Sequence, residues 1–235
     1  MKKKISLILC TYNEKNYIKN TLELINKNIK NCEIIIVDDN SNDGTLEVLK
    51  KIKNNFEFKL FIRTNERGLA SAQVKGFSEA SGDYIGTVDV NSKDQILYFN
   101  KLIEKLNEGY DVASLSRYIP GGGDERIFIR SFASKLINTV CKIFLRIPFT
   151  DFTSGIFLMK ANIFYKTRYL INGYAEWYIE YLYILHKDKF KICEIPYLQT
   201  IDDKDIQSKS FPNIITFFYL GFKYFMRSII TIIRN

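Results

Sequence analysis

The chain has 235 residues, 46% of them apolar and 26% charged, the balance of a folded domain with a real core and not of a disordered or fibrous chain. Its net charge of +8 points to anionic partners: nucleic acid, a membrane surface or phosphorylated substrates. Four scattered cysteines (Cys10, Cys32, Cys141, Cys193) and a single histidine, His186, argue against a disulfide frame or a zinc site and for reduced thiols.

The opening "MKKKISLILCTYNE" has a basic head, but its apolar run is short and ends in polar residues. It reads as a first β-strand, not a signal peptide. "NYIKNTLELINKNI" then has helical spacing, "CEIIIVDD" is a second apolar run, and "SNDGTLEVLKKIKNN" is a helix for which Ser41 or Asn42 is the expected N-cap. Asp43 is expected only to shape the "SNDG" turn. "FKLFIRT" reads as a strand, "GLASAQVKGFSEAS" as a helix, "DYIGTVD" as a fourth strand and "ILYFNKLIEKLNEG" as one further helix before "DVASLSRY". Strands that are continuous apolar runs, alternating with helices, predict an α/β fold with a mainly parallel sheet covered by helices. Ligands in such folds gather at the carboxyl ends of the strands. Polar clusters stand there at Thr11 to Glu14, Asp38 to Asp43 and Asp89 to Lys93.

After Tyr118 the pattern changes. "IPGGGDER" reads as a loop, residues 126–147 as a basic, apolar helix suited to a membrane interface, and "DFTSGIFLMK" as a return to the site with a final strand. No segment reaches the roughly 18 uncharged apolar residues of a membrane span. The C-terminal "FPNIITFFYLGFKYFMRSIITIIRN" fits two readings: an amphipathic helix in a membrane interface, with Lys223 and Arg227 at the headgroups, or a terminal helix packed on the core. The expected organisation is a domain over residues 1–200, followed by a covering loop and amphipathic helix over 201–235.

Five stretches in order, "TYNE", "IIIVDDNSNDGT", "ERGLASAQVKGFSEASGDYI", "SRYIPGG" and "DFTSGIFLMK", resemble the family-2 glycosyltransferases of the polyprenyl-phosphate sugar synthase type, the dolichyl-phosphate mannose synthases among them. The resemblance implies a GT-A fold, a modified Rossmann sheet. It implies that Tyr12, Glu14 and Asp39 hold the base and ribose of a nucleotide sugar and that Val37 lines the base pocket. It places Arg117, Arg130 and Ser134 at the phosphate of a lipid acceptor, and Asp89, Arg117 and Arg130 at the reacting centre. Arg130 and Ser134 are four residues apart, hence on one helix face, and an arginine fork matches phosphate oxygens.

The implied reaction is inverting transfer of a sugar, mannose from GDP-mannose, to a polyprenyl (dolichyl) phosphate by a peripheral protein on the cytoplasmic face of the cell membrane. Another donor such as UDP-glucose with undecaprenyl phosphate, or a non-catalytic binding subunit, are the alternatives. The implied partners are the nucleotide sugar, the lipid phosphate and the membrane surface, with room for a membrane partner protein. Nucleic acid is not expected, since no recognised motif appears and acidic strand ends repel a phosphate backbone.

The match breaks where the family surrounds Mg²⁺ or Mn²⁺ on the leaving diphosphate. Its D-x-D followed by Gln is here Asp89, Asn91 and Lys93. Asn offers a cation an oxygen without charge, and a protonated Lys offers nothing. Where the family has a basic covering loop with an Arg on the diphosphate, this chain has Asp202, Asp203 and Asp205. Three readings stay open: Lys93 clamps the nucleotide's diphosphate itself, the acidic loop supplies the missing metal ligand, or Lys93 pairs with that loop in a decayed site.

Overall fold

The computed structural model describes residues 3–91, 93–200 and 214–235. The expected alternation is present: β1 (Ile5–Thr11), α1 (Ile18–Asn28), β2 (Cys32–Asp38), α2 (Thr45–Ile52), β3 (Lys59–Ile62), α3 (Leu69–Ser78) and β4 (Tyr84–Thr87). The single helix expected after β4 is two, α4 (Lys93–Leu97) and α5 (Phe99–Asn107). Then come β5 (Val112–Ser116), β6 (Gly123–Asp124), α6 (Phe128–Leu145), β7 (Phe157–Lys160), α7 (Ala161–Thr167), α8 (Trp177–Lys187), β8 (Ile192–Pro196), β9 (Leu198–Gln199) and α9 (Ile214–Arg234).

The main sheet has the order β3-β2-β1-β4-β7-β5-β8. All its pairings are parallel except those of β7, which runs antiparallel to both β4 and β5. The strand expected to be last is therefore a reversed one inserted in the middle, and β8 follows it. β6 and β9 form a separate parallel pair. Alternate residues along the strands feed two cores. Ile8, Ile35, Val37 and Ile85 pack with α8 residues such as Trp177 and Tyr181, while Leu7, Leu9, Ile34 and Ile36 pack with α1 and α5. Chain order reverses between β1 and β4, so the loops after β1, β2 and β4 open into one crevice.

Ser41 does not cap α2. Its backbone N–H and hydroxyl donate to the buried Asp38 carboxylate at 2.8 and 2.6 Å, and α2 starts at Thr45, whose N–H donates to Asp43 at 2.9 Å. The terminal helix α9 lies against α6 and α8. Two of its basic residues are held by acids of the neighbouring segment. Arg227 is buried and paired with Glu180 at 2.8 Å, and Lys223 reaches Glu176 at 3.3 Å. The other side of α9 is apolar and exposed, with Phe218, Phe222 and Ile233, so it is both packed on the core and open on one face.

Far from the crevice, Glu33 on β2 joins four segments. It accepts hydrogen bonds from the Ser6 hydroxyl and from the Ser81 N–H and hydroxyl, and it pairs with Lys59 at 2.8 Å. Burial works to raise its carboxyl, but Lys59, Ser6 and Ser81 outweigh burial and hold it at about 2 against an ordinary 4.5. Because the value is depressed on folding, the stabilisation is full above pH 4.5 and is lost as pH falls toward 2. Glu33→Gln is expected to cost about 1–3 kcal/mol at neutral pH and to flatten acid unfolding across that window. Urea titrations at several pH values would show it, and an unchanged acid limb would contradict the assignment.

Candidate active site

The loops after β1 and β2 are laced together around Asp38. Its carboxylate, fully buried, accepts from the Thr11 hydroxyl at 2.7 Å as well as from Ser41. The Asn13 N–H donates to the Ser41 hydroxyl at 2.9 Å, the Asn42 N–H to the Asn13 side chain at 3.0 Å, and the Glu14 N–H to the Thr45 hydroxyl at 2.8 Å. This network fixes where Tyr12, Glu14 and Asp39 stand, and all three line a cavity of about 480 Å³. Asp39 is held from behind by Arg63, with Nε at 2.7 Å, and by the Gly68 N–H at 2.8 Å. Val37 does not line the cavity. It is fully buried among core residues, one position before the turn into the crevice. Sequence reading missed Arg67, whose guanidinium lies 3.5 Å above the Tyr12 ring and lines the same cavity. Its place in "ERG", at the head of a stretch that carries the family resemblance, was the available signal.

The same cavity continues to Asp89 and Asn91. The Asp89 N–H points to the Gln95 side-chain oxygen at 3.4 Å. Lys93 opens α4, but its side chain lies outside the described residues, as do Asp202, Asp203 and Asp205. Among the described residues no three His, Cys, Asp or Glu side chains gather as a cage. One carboxylate and one amide oxygen on a single wall nevertheless fit Mg²⁺ or Mn²⁺ of the kind held through one or two carboxylates, water and substrate phosphates.

At its far end the cavity is lined by Arg117, Arg126, Arg130 and Ser134. Arg117, at the end of β5, is 4% exposed and grips Asp151 with a fork, Nε at 2.8 Å and Nη2 at 2.7 Å. Nη2 also donates to Thr153 at 2.7 Å. Burial works to discharge Arg117, and Asp151 beside it overrides that and keeps it charged. Asp151 is in turn positioned by Glu194 of β8, which accepts from the Asp151 N–H at 3.0 Å and from Thr150 at 2.8 and 2.9 Å. Asp151, Thr153 and Glu194 lie within "DFTSG" and "EIPY", stretches that a sequence alone does not resolve into contacts. Arg126 is the second cation that sequence reading missed. Thus the structure brings Tyr12, Glu14, Asp39, Asp89, Asn91, Arg117, Arg130 and Ser134 to one cavity and leaves Val37 beneath it.

With this geometry in place, comparison with known proteins is decisive for the family. The profile described as glycosyl transferase family 2 matches residues 6–168. The chain belongs to glycosyl transferase family 2. It is 34% identical over 200 residues to a dolichol-phosphate mannosyltransferase of Pyrococcus furiosus, a match covering 83% of this chain and 56% of the relative. A dolichol-phosphate mannosyltransferase of Saccharomyces cerevisiae is 38% identical over 98 residues, 41% of this chain and 36% of the relative. The chain therefore spans about half or less of the length of these relatives. Among solved structures, glucosyl-3-phosphoglycerate synthase from Mycobacterium tuberculosis, in complex with Mn²⁺, UDP-glucose and phosphoglyceric acid, superposes with a TM-score of 0.70 at 15% identity over 97% of this chain and 79% of that one. At that identity the likeness establishes the fold, and this family-2 chain has the GT-A architecture.

Proposed function

We propose that the chain transfers mannose from GDP-mannose to a polyprenyl (dolichyl) phosphate, with inversion, while docked on the cytoplasmic face of the cell membrane. The observation that carries this reading is the single cavity joining Tyr12, Glu14, Asp39 and Asp89 to the arginines and Ser134. One end offers carboxylates to ribose hydroxyls and base N–H groups, and the other offers guanidinium donors to an anionic acceptor. The relatives named dolichol-phosphate mannosyltransferases support mannose as the transferred sugar and a dolichol-phosphate acceptor.

A phosphate monoester has a second pKa of about 6, so its attacking oxygen is already anionic at neutral pH and no general base is required. That oxygen forms the new bond to the anomeric carbon on the face opposite the diphosphate. The bond to the diphosphate breaks with its electron pair, and the nucleoside diphosphate departs. Asp89 and Asn91 would hold a divalent cation, which when bound supplies positive charge to the leaving diphosphate. The protein residues otherwise work by positioning and charge.

Two exposed apolar helix faces, on α6 and α9, support the membrane part of this reading. Phe128, Phe132 and Leu136 recur every four residues on α6, as do Phe218 and Phe222 on α9, and all are exposed. The two helices meet at the edge-on Phe144–Phe225 pair. Among the described residues no helix is long and apolar enough to cross a membrane, and exposed apolar faces of this kind suit a helix lying in an interface.

The test is calorimetric titration with GDP and UDP, each with Mn²⁺ and then EDTA, followed by transfer of labelled mannose to farnesyl phosphate. GDP-selective binding and a labelled lipid are expected. Binding of UDP alone would overturn the donor, and nucleotide binding without any transfer would favour a binding subunit. Arg130→Ala should abolish transfer and leave the GDP Kd unchanged. A loss of GDP affinity instead would remove Arg130 from the acceptor end.

A further inference from the structure

The acceptor end read from sequence rests on Arg117, Arg130 and Ser134, and the structure shows how many of their donors are already in use. Arg117 has committed Nε and Nη2 to Asp151 and Thr153. The Ser134 hydroxyl accepts from Arg126 Nη2 at 2.9 Å, which orients it and leaves it a single O–H to donate. A phosphate monoester brings between one and two negative charges at neutral pH and three acceptor oxygens, more than one guanidinium can satisfy.

Arg126 is the other arginine that lines this part of the cavity among the described residues. It follows β6, and its guanidinium is clamped between two elements. On one side Nε and Nη2 fork onto Asp124 at 2.8 and 2.6 Å, and on the other Nη2 reaches Ser134 of α6. Asp124 is buried behind it, with a side chain 4% exposed, and does not line the cavity. These bonds use Nε and Nη2, so both N–H groups of Nη1 remain uncommitted among the described residues.

We propose that Arg126 is a phosphate-gripping residue of the acceptor site, held ready for the lipid phosphate by Asp124 and Ser134. The proposal rests on the reading of the acceptor as a phosphate monoester. A guanidinium already fixed by two partners loses little side-chain freedom when the phosphate arrives, so its hydrogen bond is gained nearly undiminished. The clamp also gives the serine four residues after Arg130 a second contact: it orients Arg126 as well as facing the cavity.

The experiment measures farnesyl phosphate and GDP binding to the full chain by calorimetry, with melting temperatures alongside. Arg126→Ala is expected to raise the Kd for farnesyl phosphate about 10- to 100-fold, the effect of one charge-assisted hydrogen bond, with GDP binding unchanged. Arg126→Lys should recover part of the loss, because it restores charge without the fork. Asp124→Asn removes a competing negative charge and keeps an acceptor for Arg126, so it should retain or tighten phosphate binding while lowering the melting temperature. If Arg126 were only a strut between β6 and α6, both changes would weaken phosphate binding in step with stability, and that result would overturn the proposal. Inorganic phosphate should compete with farnesyl phosphate on the wild type and compete poorly on Arg126→Ala. Competition that survives unchanged would also overturn it. A wild type that fails to bind farnesyl phosphate would overturn this proposal together with the acceptor reading. Weakened binding in Arg130→Ala beside normal binding in Arg126→Ala would overturn this one alone.

Discussion

Asp151→Ala is expected to destabilise the protein by about 3–5 kcal/mol and to abolish transfer, because it leaves a buried guanidinium without its partner. Arg117 is 4% exposed and cannot recover its lost hydrogen bonds from water without opening the wall. Asp124, at 3.7 Å from Nη1, is already forked onto Arg126 and makes a poor substitute. Arg117→Met should cost less, since Asp151 keeps the N–H of residue 117 and the Asn138 amide nearby. The double change Asp151→Leu with Arg117→Met should be milder than Asp151→Ala alone, because no charge is then left buried. Denaturant unfolding of the three variants measures this. If Asp151→Ala lost less than about 1 kcal/mol, the range of an exposed pair, the pair would have to be far more hydrated than its burial indicates. GDP affinity should survive in every variant that folds, since the nucleotide loops are tied together by Asp38 and not by Asp151.

The parallel half of the fold was legible because its strands are buried on both faces. "ISLILC" and "CEIIIVDD" are continuous apolar runs whose polar successors mark the crevice. The reversal of β7 was not legible, since four residues, "FLMK", carry no record of strand direction, which here is set by pairing with β4 and β5. Helix starts failed where a side chain had a better tertiary partner. Ser41 has the chemistry of an N-cap, but Asp38 takes its hydroxyl. The same applies to charge. The sequence left Lys223 and Arg227 either at headgroups or on a packed helix, and only the structure shows Glu176 and Glu180 opposite them. Arg126 stands in "GGGDER", which reads as a solvated loop, and its value depends on Ser134, eight positions away, on a different element. Motifs identified most of the cavity wall. Only contacts between segments remote in sequence showed which donors on that wall are already taken.

Asp89→Ala is expected to lower transfer by about 100- to 1,000-fold, the scale of losing a group that organises charge at the leaving diphosphate, while the melting temperature changes little. Asp89 follows β4 and lines the same cavity as the nucleotide residues and the arginines, which suits a group beside the leaving diphosphate. Asn91→Asp tests the same place in the opposite direction. If Asp89 and Asn91 are the protein ligands of a divalent cation, a second carboxylate should tighten Mn²⁺ binding by about tenfold in the presence of GDP, since cation affinity rises with ligand charge. If no cation binds there, the added negative charge should weaken GDP binding, and EDTA should make no difference. Titrating Mn²⁺ into both forms with GDP present separates the two. Tighter metal binding would make Asn91 a tuned ligand in a working metal site. Weaker GDP binding, insensitive to EDTA, would mean that the diphosphate is neutralised by protein cations alone, and Arg67, over the Tyr12 ring in the same cavity, would be the next residue to change.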